Sequence, residues 1–91
     1  MRFEVAIHSQ IHKRLRRLPK KHRRQVIDRI EELEENPRPH DSIQLKGRKN
    51  PGFRVDIGEY RILYDIDYPA RVVDVRLLMH RGEGYRRHMK F

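Results

Sequence analysis

The chain contains no cysteine and no long apolar segment. Without cysteine among its 91 residues, it can form neither disulfide bonds nor metal sites with thiolate ligands. No run of about 18 apolar residues occurs, so no segment is expected to span a membrane. The first residues, Met1 to Val5, alternate charged and apolar side chains, unlike a signal peptide. These absences favour a soluble cytoplasmic protein, and the length predicts a single domain over residues 1–91.

Charged residues are abundant and mostly basic. They make up 38% of the chain against 36% hydrophobic residues, and 22 Lys and Arg against 13 Asp and Glu give a net charge of +9. Such a balance favours an anionic partner, with RNA as the first candidate and an acidic protein as the second. Both partners can apply to one protein. The alternative is a charge that only keeps the protein soluble.

The first half of the chain predicts one strand and two helices. Polar and apolar residues alternate over residues 2–8, as in a strand. Apolar residues then recur at i, i+4 and i+7 from Ile11, which predicts a short helix that Pro19 ends. A second apolar stripe predicts a helix that runs to about Glu35. The two helices therefore form a hairpin.

The second half predicts three strands, near residues 53–57, 60–67 and 71–79. Gly58-Glu59 fits a two-residue type II′ turn, and the short connections predict an antiparallel meander. Ile43 to Leu45 is a weaker strand candidate. The expected fold is α+β, in the order β-α-α-β-β-β, with the helical hairpin packed on one face of a small, mostly antiparallel, four-stranded sheet.

The alternation of the strands predicts which side chains share a face. The packing face is expected to hold Phe53, Val55, Ile57, Ile62, Tyr64 and Ile66. On the last strand it is expected to hold Val73, Val75, Leu77 and Met79. The opposite face is expected to stay open and to carry Arg54, Asp56, Arg61 and Asp65.

Several short landmarks, taken together and in order, resemble the RelE/ParE superfamily of type II toxins. They are Leu18-Pro19, Glu35-Asn36-Pro37-Arg38-Pro39, Leu45-Lys46-Gly47, Phe53-Arg54-Val55, Gly58-Glu59-Tyr60-Arg61-Ile62-Leu63-Tyr64, His80-Arg81 and Tyr85-Arg86. The likeness covers nearly the whole chain. It implies a metal-independent endoribonuclease that cuts mRNA in the ribosomal A site without a cofactor. It also implies a cognate antitoxin that is acidic and partly disordered.

The resemblance implies functional residues at Arg54, Arg61, Arg81 and Tyr85. The sequence departs from the best-studied RelE enzymes at Asp56, where those enzymes carry a second basic residue. The ParE branch shares the fold but poisons DNA gyrase and lacks a nuclease site. A gyrase inhibitor, or a degenerate toxin that only binds its antitoxin, is therefore the alternative.

These residue types suit metal-free RNA cleavage, in which the substrate's own 2′-OH attacks the adjacent phosphorus. Arg54 and Arg61 can donate to the phosphate, and Arg81 can do so near the leaving group. Tyr85 or His80 is better suited to proton transfer than an arginine. Asp56 could be the base, or it could only pair with an arginine.

Each of these residues also has a purely structural interpretation. The two strand arginines could form an ion-pair lattice with Asp56 and Asp65. His80 could be a bystander, and Tyr85 could anchor the C-terminus. The other histidines show no metal-like spacing with carboxylates, so no metal site is expected.

The hairpin carries a dense run of cations that is predicted to bind ribosomal RNA. A solvated helix face is the alternative. The predicted binding residues are Lys13, Arg14, Arg16, Arg17, Lys20, Lys21, Arg23 and Arg24, joined by Lys46, Arg48 and Lys49 from the following loop.

Overall fold

The computed structural model describes residues 2–46 and 52–83, and its element order confirms the predicted fold class. In chain order the elements are β1 (Glu4–Ile7), α1 (Ser9–Arg17), α2 (Lys20–Glu35), β2 (Ile43–Gln44), β3 (Phe53–Ile57), β4 (Tyr60–Asp67) and β5 (Val72–His80). No helix within these residues is long and apolar enough to cross a bilayer.

The sheet has five strands in the order β1-β5-β4-β3-β2. The prediction of four strands was wrong by one, because Ile43 and Gln44 pair with Arg54 and Phe53 of β3. A two-residue strand at the sheet edge is too short to show an alternating pattern in sequence. β1 runs parallel to β5, while the other pairs are antiparallel, so the sheet is mostly antiparallel as predicted.

Both helices pack against one face of the sheet, as their apolar stripes predicted. Val26 and Leu33 of α2 are completely buried, and Ile11 of α1 is nearly so. The strands contribute Val55, Ile62, Tyr64, Val73, Val75 and Leu78 to the same cluster. At about 25 cal/mol per Å² of apolar surface removed from water, this single layer is the main source of stability.

Tyr64 brings a polar group into this core. Its ring lies 5.8 Å from that of Phe53, and its hydroxyl donates a hydrogen bond of 2.7 Å to the carbonyl of Pro37. That carbonyl belongs to the segment that ends α2. The buried hydroxyl is therefore satisfied, and it ties the helix exit to the centre of the sheet.

A β-bulge in β5 changes the expected arrangement of faces. Tyr64 pairs with Val75, but its neighbour Leu63 pairs with Leu77, so Arg76 is an extra residue in the ladder. After the bulge, Leu78 points into the helix-side core. The prediction that Leu77 and Met79 share a face with Val75 was therefore wrong.

The face away from the helices is called the arginine face here. It carries Arg54, Asp56, Arg61, Leu63 and Asp65 by strand alternation. The prediction that this face stays open was only partly right. Leu63 and Met79 are fully buried and pack with Leu45 and Leu77 in a second, smaller apolar cluster. The charged side chains thus flank an apolar patch.

Candidate functional site

Two strand arginines lie together on the arginine face. Asp56 of β3 and Arg61 of β4 are directly opposite each other, and Arg54 is two residues before Asp56 on the same side of its strand. The short turn at Gly58, with a φ of 56°, fixes this register. Both arginines therefore lie on one rigid hairpin, and both guanidinium groups approach Asp56.

Asp56 joins the two arginines. Its Oδ1 lies 3.2 Å from Nε of Arg54 and 3.7 Å from Nε of Arg61. The arginine side chains are 17% and 29% exposed, whereas the Asp56 side chain is 49% exposed. The ion-pair alternative thus holds for Asp56, but pairing does not preclude binding, because the cluster keeps one net positive charge.

Asp65 occupies a different part of the same face. Its Oδ1 accepts a 2.7 Å hydrogen bond from the backbone N–H of Gly52, and its Oδ2 lies 3.8 Å from Nη1 of Arg76. Burial raises the pKa of Asp65 above its ordinary value. This carboxylate holds the start of β3 and the bulge residue together, about 13 Å along the strand from Arg61.

His80 lies on the opposite side of the sheet from the arginines. It pairs with Tyr60 at the helix-side face, and the two rings meet edge to face at 5.3 Å. His22 of α2 packs on the other side of Tyr60, at 5.5 Å. The structure therefore does not bring His80 together with Arg54 and Arg61.

Both ring nitrogens of His80 are engaged. Nδ1 accepts the backbone N–H of Gly82 at 3.1 Å, so Nε2 carries the proton and donates to Glu59 at 3.0 Å. The same hydrogen bond holds the pKa of Glu59 below its ordinary range. These contacts give His80 a structural role at the end of the sheet, where it links Glu59 to the turn after β5.

Arg81 begins the turn that follows β5. Its backbone N–H donates to the carbonyl of Glu59 at 2.7 Å, which places Arg81 at the end of the sheet that carries Arg61. Its side chain is exposed. Arg61 and Arg81 thus lie at the same end of the sheet, while Arg54 lies two residues along β3 from the level of Arg61. Tyr85 lies outside the described residues.

The turn after β5 is fastened to α1. Glu83 accepts the backbone N–H of His80 at 2.9 Å and forms an ion pair with Arg14. This contact, over 69 residues of sequence, could not be read from local patterns. Arg14 therefore has a structural partner in Glu83, although the sequence placed it among the predicted RNA-binding cations.

Arg23 also has a structural role. From the first turns of α2 it donates to the carbonyls of Leu15, Arg16 and Leu18 at 3.1, 3.3 and 3.2 Å. The last carbonyls of a helix lack partners within the helix, and here a side chain from the next helix supplies them. Pro19 follows at once, so this cap sets the angle of the hairpin.

The rest of the basic run faces solvent. Its exposed members are Lys13, Arg16, Arg17, Lys20, Lys21 and Arg24, and Lys46 is also exposed. Together they are called the basic surface here. Arg48 and Lys49 lie outside the described residues. Within residues 2–46 and 52–83, no three His, Asp or Glu side chains gather in a way that could hold a metal ion.

Comparison with known proteins identifies the family. A model described as the ParE toxin of the type II toxin-antitoxin system parDE matches residues 5–85. The chain belongs to the RelE/ParE toxin family. This places it among the toxins of type II toxin-antitoxin systems, and it confirms the likeness indicated by the sequence landmarks.

Individual members of the RelE/ParE family resemble the chain along its length. The protein assigned as toxin RelE1 in Methanocaldococcus jannaschii is 31% identical over 88 residues, which cover 94% of this chain and 98% of that protein. A chain of the archaeal RelE–RelB complex from Pyrococcus horikoshii is 33% identical with a TM-score of 0.79, covering 92% of this chain and all of that one. The isolated E. coli RelE toxin, 19% identical, shares the fold with a TM-score of 0.75, over 94% and 92% of the two chains.

Proposed function

We propose that this toxin is a ribosome-dependent mRNA endoribonuclease that needs no metal ion and acts in the cytoplasm. The observation that carries the proposal is the approach of Arg54 and Arg61 to one point on the arginine face, with Arg81 at the end of the sheet near Arg61. Arginine presents a planar, permanently charged donor group that matches the oxygens of a phosphate. The closeness of two strand arginines favours one phosphodiester as their common ligand.

The reaction is an internal transfer within the RNA. The 2′-oxygen attacks the neighbouring phosphorus as its proton leaves to a base, and the bond from phosphorus to the 5′-oxygen breaks as that oxygen takes up a proton. The products are a 2′,3′-cyclic phosphate and a 5′-hydroxyl. The phosphorane between them carries extra negative charge, which Arg54 and Arg61 stabilise.

The proposal assigns proton transfer to fewer residues than the sequence offered. His80 is held on the far side of the sheet with both ring nitrogens engaged. Arg81 remains a donor for the leaving group, and Tyr85 remains a candidate acid. Asp56, which the sequence also offered as a base, is instead paired with Arg54 and Arg61. Much of the rate would come from charge stabilisation and from the orientation of mRNA by the ribosome.

The basic surface supports binding to ribosomal RNA, because exposed cations gain affinity by releasing counterions from phosphates. We also propose a cognate antitoxin with an acidic, partly disordered segment that folds as it covers this surface. The solved RelE–RelB complex of P. horikoshii supports an antitoxin as a partner.

A gyrase inhibitor of the ParE type is the second candidate, favoured by two observations. The matching family model is described as a ParE toxin, and Asp56 reduces the positive charge of the arginine cluster. A toxin that only binds its antitoxin would share these features. Both alternatives predict intact mRNA.

The deciding experiment runs two assays with one preparation of the protein. Translation extracts are followed for cleavage of a labelled mRNA, and purified gyrase is followed for DNA supercoiling. The proposal expects cleavage within translated codons, with supercoiling unaffected. Loss of supercoiling with intact mRNA would establish the gyrase alternative, and no effect in either assay would favour a binding-only protein.

A further inference from the structure

The shared carboxylate of Asp56 has a consequence for the phosphate site, and this inference rests on the proposed function. One oxygen, Oδ1, lies within 4 Å of Nε on both Arg54 and Arg61. A negatively charged, non-bridging phosphate oxygen would be attracted to the same two guanidinium groups. Carboxylate and phosphate oxygens are interchangeable ligands for guanidinium groups in charge and hydrogen-bonding character.

We infer that Asp56 acts as an internal competitor, occupying the arginine site in the free toxin until the RNA phosphate displaces it. The Asp56 side chain is more exposed than the two arginine side chains, so it can move into solvent while they stay in place. It is 49% exposed, while those of Arg54 and Arg61 are 17% and 29% exposed. A rotation about χ1 carries its carboxylate into solvent without any change in the hairpin backbone.

The competition is weak enough to be overcome by substrate. Ion pairs between partly exposed side chains contribute little, typically less than about 1 kcal/mol each. A competitor of this strength lowers the apparent affinity by the fraction of time that the site is open. Asp56 should therefore weaken RNA binding about two- to tenfold. The same carboxylate keeps the two arginines from repelling each other in the free protein.

The test compares Asp56→Asn with Glu31→Gln. Asparagine keeps the shape of aspartate and removes its charge, while Glu31 is an exposed residue of α2 whose change alters the net charge equally. Asp56→Ser serves as a second variant. The measurements are the Kd for an RNA probe with a 2′-deoxynucleotide at the cleavage site, its salt dependence, and kcat and KM with programmed ribosomes.

The inference predicts that Asp56→Asn lowers the Kd and KM about two- to tenfold, leaves kcat within about twofold, and steepens the log–log salt slope by up to about 0.7. Glu31→Gln should change the Kd less than twofold. A loss of kcat of tenfold or more in Asp56→Asn would overturn the inference, because it would make Asp56 a base or a positioning residue. Affinity no tighter than that of Glu31→Gln would overturn it as well.

The outcomes separate this inference from the proposed function. If the wild-type protein cleaves no ribosome-bound mRNA, the nuclease proposal fails, but the binding comparison still decides the role of Asp56. Tighter binding of the uncleavable RNA by both Asp56 variants would then support a phosphate site that the aspartate occupies. Equal binding by wild type and variants would overturn it.

Discussion

Replacing Arg61 by alanine should separate the chemistry of the arginine face from its stability. Arg61 lies on the arginine face, opposite Asp56 on a rigid hairpin. If it donates to the phosphorane, its loss removes a stabilisation that exists only in the transition state. Losing one such donor lowers the rate by about a hundredfold or more, about 2.7 kcal/mol of barrier.

The effect on folding should be small, and the structure gives the reason. The ion pair between Arg61 and Asp56 spans 3.7 Å, and the Asp56 side chain is half exposed. Such a pair contributes at most about 1 kcal/mol, which corresponds to a fall in Tm of less than about 8 °C for a domain of this size.

The assay measures the single-turnover cleavage rate at saturating toxin and the Tm of the same preparation. Arg76→Ala is the matched control, because Arg76 is also on the arginine face and is paired with carboxylates, but lies at the other end. Arg76→Ala should cleave at nearly the wild-type rate. A near-normal rate for Arg61→Ala together with a large loss of Tm would refute the reasoning, since Arg61 would then be structural.

Three further predictions concern the core and the basic surface. Tyr64→Phe should lower the free energy of unfolding by about 1–2 kcal/mol in denaturant titrations, because the buried carbonyl of Pro37 loses its donor. Burial raises the pKa of Tyr64 to about 12, so the unfolded chain loses this proton first and wild-type stability should fall between about pH 10 and 12. Tyr64→Phe should lack this contribution; an identical alkaline loss in both proteins would contradict it. Serine replacement of four exposed cations should weaken binding to the ribosome; the four are Arg16, Arg17, Lys20 and Lys21. The log–log salt slope of binding should flatten by about 0.7–0.9 per lost phosphate contact. An unchanged slope would show that this surface does not meet RNA.

The sequence was sufficient for the fold wherever local periodicity determines structure. The stripe from Ile11 and the alternation around Arg54 and Arg61 each follow from the geometry of one element. They predicted the helical hairpin, the β3–β4 register and the shared face of the arginines. The resemblance in short motifs then supplied the family, which the comparisons confirmed.

What the sequence could not predict depends on contacts between distant elements. The bulge at Arg76 reverses the faces of Leu77 and Met79, and nothing local marks an extra residue in a strand. The position of His80 followed from that reversal. Similarly, the partners of Arg14 and Arg23 are a turn and a helix end that come together only in the folded chain.

The central claim is tested most directly by mapping RNA ends on purified ribosomes stalled with a defined codon in the A site. The account predicts one cut within that codon, leaving a 2′,3′-cyclic phosphate on the upstream fragment and a 5′-hydroxyl on the downstream fragment. It also predicts little cleavage of the same mRNA without ribosomes. A 3′-hydroxyl with a 5′-phosphate, equal cleavage of naked mRNA, or intact mRNA at saturating toxin would contradict it.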